Sequence, residues 1–233
     1  MNERIKREIY SWIMVIIVVL ILRAVFVESY VIPTSSMEKT LLIGDALLVN
    51  RFIYGIKFPY TQIPLIPGRN PYRGDIIVFK YPYENKDFVK RCVAIEGDTV
   101  QVIDKVLFLN GKEVDEPYVY HLDRRLFSGV DYERKVYQEY WEKAKLADIF
   151  GIQIRDNFGP VVVPKGCVFA MGDNRDNSMD SRFWGPLNMK YLKGKPLFIF
   201  FSFDLGKEAS SFFDIFKFWQ WKAIRLARIG KVI

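Results

Sequence analysis

Lys90 is a basic residue in the middle of a predicted β-strand. It precedes Arg91 within residues 87–95, an otherwise apolar segment with the alternation of a β-strand. Alternation places each base on a largely apolar face, and at least one of these faces is expected to be buried. Burial disfavours the charged form of an amine, so a buried lysine loses proton affinity. The pattern does not say whether the face of Lys90 or that of Arg91 is buried, but a lysine buried there would have the lowered pKa that a lysine base requires.

Two other segments carry hydroxyl and carboxylate groups that could take part in chemistry. Residues 32–45 include two adjacent serines beside a proline, the second of them Ser36, a pattern that alone is typical of a turn or helix cap. Residues 171–186 form a dense polar loop that superficially matches a calcium-binding loop. That match fails, because Arg175 occupies the third ligand position and Ser178 the place of the required glycine.

The histidine and cysteine content narrows the chemistry further. His121 is the one histidine of the sequence, and Cys92 and Cys167 are its two cysteines. A four-ligand Cys/His zinc site is excluded, and a Ser-His-Asp triad would need His121 as its base. We therefore expect no metal and no other cofactor. Whether the two cysteines form a disulfide is left open.

Short segments rich in Val, Ile, Phe and Tyr indicate which elements position these groups. The predicted strands are residues 75–81, 87–95, 99–103, 106–109, 161–163, 167–171 and 196–201. Asn110 and Gly111, between two apolar runs, predict a hairpin. The expected fold class is mainly β, with an antiparallel catalytic core formed by residues 28–114 and 159–205.

Residues 115–158 differ in composition from the strands on either side. The segment is charged, and residues 132–150 are rich in Glu, Lys, Ala and Leu and lack Gly and Pro. That composition favours a helix. We expect residues 115–158 to form a smaller subdomain inserted into the β core.

Residues 9–27 form an apolar run that predicts a transmembrane helix. As a helix the run reaches roughly 28 Å, close to the ~30 Å thickness of a bilayer's hydrocarbon core. A cleaved secretory signal is the alternative, but no good small-x-small cleavage pair follows, so a retained single-pass anchor is favoured. Basic residues within positions 1–8 place the N-terminus in the cytoplasm and the remainder of the chain outside it.

The C-terminal segment, residues 206–233, combines aromatic and basic residues. Residues 212–221 contain four Phe and two Trp, and residues 207–233 carry six basic and two acidic residues. Such a mixture suits a bilayer interface, with Arg225 and Arg228 among the residues expected to attract anionic headgroups. Core packing is the alternative for these rings. Nucleic-acid binding is disfavoured despite the net charge of +7, because the basic residues lie beside membrane-seeking aromatic rings.

Taken in order, these segments resemble bacterial signal peptidase I. The matching motifs are residues 33–37 with 41–45, 73–75 with 80–82, 90–91 with 97–98, 172–178 with 180–182, and the terminal stretch 224–230. The resemblance covers most of the chain except the insertion. It departs from the family pattern at Lys39, where members commonly have proline, and this leaves the conformation of the local turn uncertain.

The resemblance implies a serine endopeptidase with a Ser-Lys dyad, in which Ser36 is the nucleophile and Lys90 the general base. It implies a single-pass protein of the bacterial plasma (inner) membrane whose catalytic domain is extracytoplasmic. Its partners are then pre-proteins that bear signal peptides, together with the lipid bilayer. Neither nucleic acid nor metal is among them.

The same resemblance assigns supporting roles to four residues. Ser178 orients the Lys90 amine, and the Thr34 hydroxyl joins the Ser36 N–H in binding the oxyanion. Asp180 and Arg182 form an ion pair that braces the polar loop, a structural role.

Substrate binding is expected to follow strand geometry. The resemblance implies that a signal peptide adds as an extended strand near residues 87–90 and 30–33, with small residues at the first and third positions before the cut. The candidate pocket walls are Ile32, Met37, Leu41, Phe88 and Val89. For each of these side chains, ordinary core packing is the alternative.

Two rival functions remain. A non-enzymatic, anchored extracytoplasmic β domain would retain the fold without the reaction. A self-cleaving repressor would share the Ser-Lys dyad, but it needs a cytoplasmic DNA-binding module, and this sequence has the predicted membrane span in that place.

Overall fold

The computed structural model describes residues 3–57, 64–204 and 223–233, and it is mainly β, as the sequence predicted. Its α-helices are α1 (Glu3–Phe26), α2 (Arg134–Glu142), α3 (Leu146–Phe150) and α4 (Ser181–Trp184). Its first nine strands are β1 (Val27–Val31), β2 (Asp45–Asn50), β3 (Ile56–Lys57), β4 (Pro64–Ile66), β5 (Ile76–Lys80), β6 (Asp87–Ile95), β7 (Thr99–Ile103), β8 (Val106–Leu109) and β9 (Lys112–Glu113). The remaining strands are β10 (Phe158–Val162), β11 (Cys167–Met171), β12 (Leu187–Asn188), β13 (Leu192–Asp204) and β14 (Ala223–Ile224).

The strands form one large sheet, one smaller sheet and a short pair. The large sheet has the order β1-β2-β13-β5-β6-β11-β12, with β14 also paired to β13. The smaller sheet has the order β10-β7-β8-β9, and β3 pairs with β4. Neighbouring strands in these sheets are antiparallel, which confirms the predicted strand arrangement.

α1 is 24 residues long and leads directly into β1. It includes most of the segment predicted as an anchor. Among the described residues, we find no helix with the length and hydropathy of a membrane span.

The central position of β6 explains the burial of its two bases. β5 pairs along one side of β6, and β11 pairs along the other from Arg91 to Ile95. Every residue from Lys90 to Ala94 is buried, so both faces of this part of the strand are covered. The alternating pattern predicted that at least one face of the strand is buried. Tertiary packing buries the other face as well.

Four predicted strands, β6, β7, β8 and β11, have the bounds expected from the sequence. The hairpin between β8 and β9 is also confirmed. Asn110 has a φ of 53° and Gly111 a φ of 77°, and two consecutive left-handed residues are what a tight hairpin turn requires. β13 is longer than expected, because pairing with β2 and β5 on its two sides extends it past Pro196.

α2 and α3 lie within the stretch whose composition favoured a helix. α2 packs through Trp141, which is fully buried and stacks on Phe169 of β11 at a ring-centre distance of 5.5 Å. The indole N–H of Trp141 donates to the carbonyl of Ser181 over 2.7 Å. The helical segment thus shares a hydrophobic core with the strand that precedes the polar loop.

The C-terminal residues 223–233 pack against the large sheet. Arg228 forms an ion pair with the buried Asp45 at 2.5 Å, and Arg225 donates to Ser202 Oγ over 3.0 Å. The expectation that these two arginines face lipid headgroups is wrong, because their guanidinium groups satisfy acceptors inside the domain. The aromatic cluster at 212–221 lies outside the described residues.

Candidate active site

Ser36 lies in a single 3₁₀ turn, Ser35–Met37, between β1 and β2. Met37 and Leu41 are buried in the adjacent hydrophobic core, and the Leu41 N–H donates to the Met37 carbonyl over 2.7 Å. The apolar side chain that follows the serine therefore fastens this turn to the body of the domain. We call residues 35–40 the serine turn.

Lys90 approaches Ser36 from β6. Its Nζ donates a hydrogen bond to Ser36 Oγ over 2.5 Å, and its side chain is buried. Burial lowers the pKa of Lys90 from the ordinary value of a lysine to about 8, although the charges of Asp180 and Asp173 act in the opposite direction. Within the described part of the chain, no carboxylate forms an ion pair with Lys90. The amine can therefore lose its proton in mildly alkaline solution.

Arg91, the next residue on β6, differs from Lys90 because it is paired with a carboxylate. Its guanidinium donates to both oxygens of Asp173, over 2.8 and 2.6 Å, and stacks on the Tyr118 ring at 3.7 Å. Burial acts to lower the pKa of Arg91, but the bond to Asp173 outweighs it, and the pKa is raised. Arg91 is therefore a fixed positive charge that holds the polar loop against β6.

Asp180 and Arg182 form a buried pair behind Lys90. Arg182 donates to both carboxylate oxygens of Asp180 over 2.8 Å, and the Gly172 N–H donates to the same carboxylate over 3.2 Å. Burial acts to raise the pKa of Asp180, but Arg182 reverses this effect and the pKa is lowered. The carboxylate thus stays ionised and is compensated by Arg182.

Ser178 is buried close to the serine turn. Within the described residues its Oγ lacks a hydrogen-bond partner of normal geometry. A Cβ added to Gly172 would come within 2.3 Å of Ser178 Oγ and 2.4 Å of the Ser36 carbonyl oxygen. Gly172 therefore allows the loop and the serine turn to approach closely, a requirement that sequence analysis did not assign to it.

Two asparagines of the polar loop hold the serine turn directly. The Asn174 N–H donates to the Ser36 carbonyl over 3.1 Å, and its side-chain amide donates to the Ser35 carbonyl over 3.2 Å. Asn177 donates from its side chain to Ser35 Oγ over 2.8 Å. Both residues stand in the motif singled out from the sequence, but their partners are 138 or more positions away and no local pattern indicates them.

Thr34 lies on the solvent side of Ser36. The two hydroxyl oxygens are 3.4 Å apart, and Thr34 is exposed. The backbone N–H of Ser36 makes no hydrogen bond within the described residues. An N–H group and a hydroxyl group thus lie beside Ser36 Oγ.

His121 and the cysteines lie outside this arrangement. His121 Nδ1 is 3.3 Å from Asp176, and partial burial lowers the pKa of the imidazole. Cys92 and Cys167 are both free and buried. In the described ranges, no three His, Cys, Asp or Glu side chains come together as a metal site would need.

The five candidate pocket residues fall into two groups. Ile32, Met37 and Leu41 are buried in one core cluster, against which the partly exposed Val89 packs. Phe88 is also partly exposed, but it packs against a different cluster. The structure thus brings four of the five together, three of them with almost no exposed surface.

Two strand edges near Ser36 are unpaired. β11 pairs with β6 only from Arg91 onward, so residues 87–90 lack a neighbour on that side among the described strands. β1 pairs with β2 alone in the same described set. Each edge therefore presents backbone donors and acceptors to a further strand.

Comparison with known proteins establishes the family. The family model described as signal peptidase, peptidase S26, matches residues 5–201. The chain belongs to this family. Signal peptidase I of Pseudomonas aeruginosa is 41% identical over 176 residues, covering 75% of this chain and 61% of that protein. Signal peptidase I of Rickettsia typhi is 33% identical over 256 residues, covering 99% and 94%.

The extent of these similarities differs between relatives. The match spans less than two thirds of the Pseudomonas aeruginosa peptidase, at 61%. A crystal structure of a signal peptidase I from Enterococcus faecalis V583 matches 55% of this chain and 97% of that chain, with 27% identity and a TM-score of 0.40. The resemblance seen in the sequence motifs is confirmed at the level of the family.

Proposed function

We propose that this protein is a membrane-anchored serine endopeptidase that cleaves N-terminal signal peptides from exported pre-proteins. The observation that carries the proposal is the 2.5 Å contact between the buried Lys90 Nζ and Ser36 Oγ. Family membership and the names of the curated relatives support the substrate class.

The first chemical step is acylation of Ser36. Neutral Lys90 accepts the hydroxyl proton of Ser36, and the resulting oxygen nucleophile attacks the carbonyl carbon of the scissile bond. Lys90 then returns a proton to the departing amine of the mature protein. An acyl-enzyme remains, in which the signal peptide is esterified to Ser36.

Deacylation repeats the cycle with water. Lys90, neutral again after the amine has left, removes a proton from the attacking water, and Ser36 leaves with a proton from Lys90. Ser178 is proposed to keep the amine aimed at Ser36 through both steps, because its hydroxyl is buried beside the serine turn. The ion pair of Asp180 and Arg182 braces the loop that carries Ser178.

The negative charge that develops on the carbonyl oxygen needs donors in place before the reaction. The proposed donors are the Ser36 N–H and the Thr34 hydroxyl. Their support is the free N–H and the 3.4 Å separation between Thr34 Oγ1 and Ser36 Oγ.

The substrate is proposed to bind as an added strand. The unpaired edges of β1 and of residues 87–90 could each hydrogen-bond an extended peptide that passes Ser36. Ile32, Met37, Leu41, Phe88 and Val89 are proposed to form the apolar walls for the side chains before the cut. The family resemblance favours small residues at the first and third positions before the cut.

The proposed location is the bacterial plasma (inner) membrane. Residues 9–27 form the single span, residues 1–8 stay in the cytoplasm, and the β core of residues 28–114 and 159–205 is extracytoplasmic. Residues 115–158 form the inserted subdomain, and residues 206–233 lie close to the membrane. About nine residues separate Val27 from Ser36, so the site would act close to the membrane surface, where a signal peptide is anchored.

The test is cleavage of a pre-protein by the full-length chain in detergent. We expect Ser36→Ala and Lys90→Arg each to abolish cleavage while the protein stays folded. Ser36→Ala removes the hydroxyl that attacks the substrate. Lys90→Arg introduces a guanidinium, which cannot lose its proton and so cannot act as the base. His121→Ala is the control and should cleave at the wild-type rate.

Activity in Lys90→Arg would refute the assignment of the base. Equal processing by wild type and Ser36→Ala would instead favour the rival function, an anchored β domain without enzymatic activity.

A further inference from the structure

The two faces of β6 near Lys90 lead to different groups of side chains. Val89 packs against the hydrophobic cluster that contains Met37 and Leu41. Phe88, one residue earlier, points to the opposite face of the strand, where it packs against the cluster that contains Trp184. Of the five apolar walls proposed for the substrate, four therefore belong to the Val89 face, and Phe88 stands on the other.

A group of large apolar side chains surrounds Phe88 on its face. Tyr81 stacks on Phe88 at a ring-centre distance of 4.5 Å. Tyr81 also makes edge contacts with Tyr83 and Trp184, at 5.5 and 6.0 Å. The indole N–H of Trp184 donates to the Met179 carbonyl over 3.1 Å. These contacts make one connected surface, which we call the aromatic shelf: Tyr81, Tyr83, Phe88, Met179 and Trp184.

The top of the aromatic shelf is open to solvent, and its base is fixed. Tyr83 and Met179 are each 59% exposed, and Phe88 is partly exposed. Trp184, which contacts the other rings from below, is buried. A group of exposed, large apolar side chains on a buried base is typical of a surface that binds an apolar partner.

The aromatic shelf adjoins the dyad. Lys90 Nζ lies 5.6 Å from the centre of the Phe88 ring, and Met179 is the residue after Ser178. Phe88 also belongs to residues 87–90, the unpaired edge proposed to hold the substrate. A peptide bound along that edge therefore passes directly beside the shelf.

Strand geometry decides which substrate residue meets the shelf. Successive side chains of an extended peptide point to opposite faces. The first and third residues before the cut are the small ones, and they point to the Val89 face, where four of the five proposed walls lie together. The second residue before the cut then points to the Phe88 face.

We infer that the aromatic shelf determines specificity at the second position before the cut, where it selects large apolar side chains such as leucine and phenylalanine. Its aromatic rings and thioether offer polarisable, apolar contacts, and none of its five side chains carries a formal charge. The inference rests on the proposed function, because it concerns the substrate of the same site.

The experiment varies the substrate first. Full-length protein in detergent cleaves one pre-protein whose second residue before the cut is phenylalanine, leucine, alanine, serine or aspartate, and kcat/KM is measured for each. We expect phenylalanine and leucine to give a kcat/KM about tenfold above that of serine, the size typical of apolar contacts in an enzyme pocket. Phenylalanine at the third position should instead lower kcat/KM, because that side chain points to the opposite face.

Two variants connect this preference to the shelf. Tyr83→Ser and Met179→Ser each remove an exposed side chain. Each should reduce the ratio of kcat/KM for the phenylalanine substrate over the serine substrate from about tenfold to about threefold or less, mainly by slowing cleavage of the phenylalanine substrate. Tyr132→Ser is the matched control, since that exposed ring packs on Tyr140 and Phe150 in the insertion, and it should keep the wild-type ratio.

The ratio compares two substrates cut by the same enzyme, so the folded fraction of a variant does not affect it. Equal kcat/KM for the phenylalanine and serine substrates in wild type overturns the inference. An unchanged ratio in both Tyr83→Ser and Met179→Ser also overturns it, as does an equal fall in Tyr132→Ser. Cleavage by wild type that is lost in Ser36→Ala supports the proposed function whatever the ratio is. A wild type that cleaves none of the substrates overturns both.

Discussion

Lys90 and Arg91 are adjacent in the chain, yet their surroundings give them opposite properties. Arg91 meets a carboxylate with both of its parallel donors, and its pKa rises. Lys90 is bonded to a neutral hydroxyl, and burial lowers its pKa to about 8. The difference comes from the polar loop. Its Asp173 forms an ion pair with Arg91, whereas near Lys90 it places Ser178 and Asp180, and the charge of Asp180 is compensated by Arg182. An amine with a lowered pKa and a guanidinium with a raised pKa thus occur side by side on one strand.

The lowered pKa of Lys90 sets the expected pH dependence of cleavage. Because the neutral amine is the active form, kcat/KM should rise about tenfold per pH unit below pH 8 and level off above it. Initial rates measured from pH 6 to 10 check this. His121→Ala should give the same profile. A profile centred near ~6.5, the ordinary pKa of imidazole, and absent from His121→Ala would refute the lysine mechanism.

The same burial should cost the folded protein stability at neutral pH. An amine whose pKa is about 8 when folded and near 10.5 when unfolded binds fewer protons in the folded state between these values. The contribution of Lys90 to the free energy of unfolding therefore rises with pH between these two pKa values. Below pH 8 its full destabilising effect is present. Lys90→Met removes the charge, and it should raise the free energy of unfolding at pH 7 by on the order of 3 kcal/mol.

Denaturant unfolding of wild type and Lys90→Met at pH 7, 8.5 and 10 measures this difference. The advantage of the variant should shrink as pH rises, and a constant advantage would contradict a buried, titrating amine. Comparing the two proteins cancels contributions from tyrosines, which titrate in both.

At the scale of elements, the site depends on close contact between the serine turn and the polar loop. These segments join through Asn174, Asn177 and Thr40, and Gly172 allows the distance between them to be short. β6 contributes Lys90, whose Nζ donates to Ser36 Oγ. Ser36 is therefore held by a loop more than 130 residues away in sequence.

Gly172→Ala tests that contact. The added Cβ would fall 2.4 Å from the Ser36 carbonyl oxygen and 2.3 Å from Ser178 Oγ, so one of the two segments must shift. We expect kcat to fall by about 100-fold, together with a lower melting temperature of the purified protein.

Gly97→Ala is the control for backbone strain. Gly97 has a φ of 84°, and a Cβ there meets no atom within 4 Å. This variant should lose stability by about 1 kcal/mol and keep its kcat. If Gly172→Ala were as active as Gly97→Ala, the close contact would have no catalytic importance.

At the scale of the whole molecule, a β scaffold is attached to a helix at its N-terminus. α1 ends at Phe26, and β1 begins at the next residue and pairs with β2 through five residue pairs. Removing the helix leaves that pairing intact. The truncated chain should fold, because the sheets and their cores are built from later residues.

Residues 27–233 should nevertheless bind anionic liposomes, through the aromatic cluster at 212–221. Burying each ring contributes roughly 1.5–3 kcal/mol, and nearby lysines add an attraction that salt weakens. Flotation at low and high salt measures this. A protein that stays in the soluble fraction at low salt would show that the rings fill the core of the protein. Replacing the four phenylalanines of the cluster by serine is the matched control.

Much of this protein follows from local sequence alone. Segments rich in Val, Ile, Phe and Tyr and bounded by turn residues predicted β6, β7, β8 and β11 at their observed bounds. The Asn110-Gly111 pair predicted a hairpin, because both residues tolerate a positive φ. β1 and β2 were not predicted, since β1 continues from α1 without a turn residue and β2 has leucines that also suit a helix.

The tertiary structure decided which of the two bases on β6 is paired with a carboxylate. Alternation placed Lys90 and Arg91 on opposite faces but could not say that Asp173 lies against one of them, because that contact spans 82 residues. It also could not give the left-handed conformation of Lys39, whose φ is 74°. The sequence motifs carried the resemblance to the family, and that resemblance implied the candidate dyad. Burial and long-range contacts determined the charge of each group, since desolvation and pairing exist only after the chain has folded.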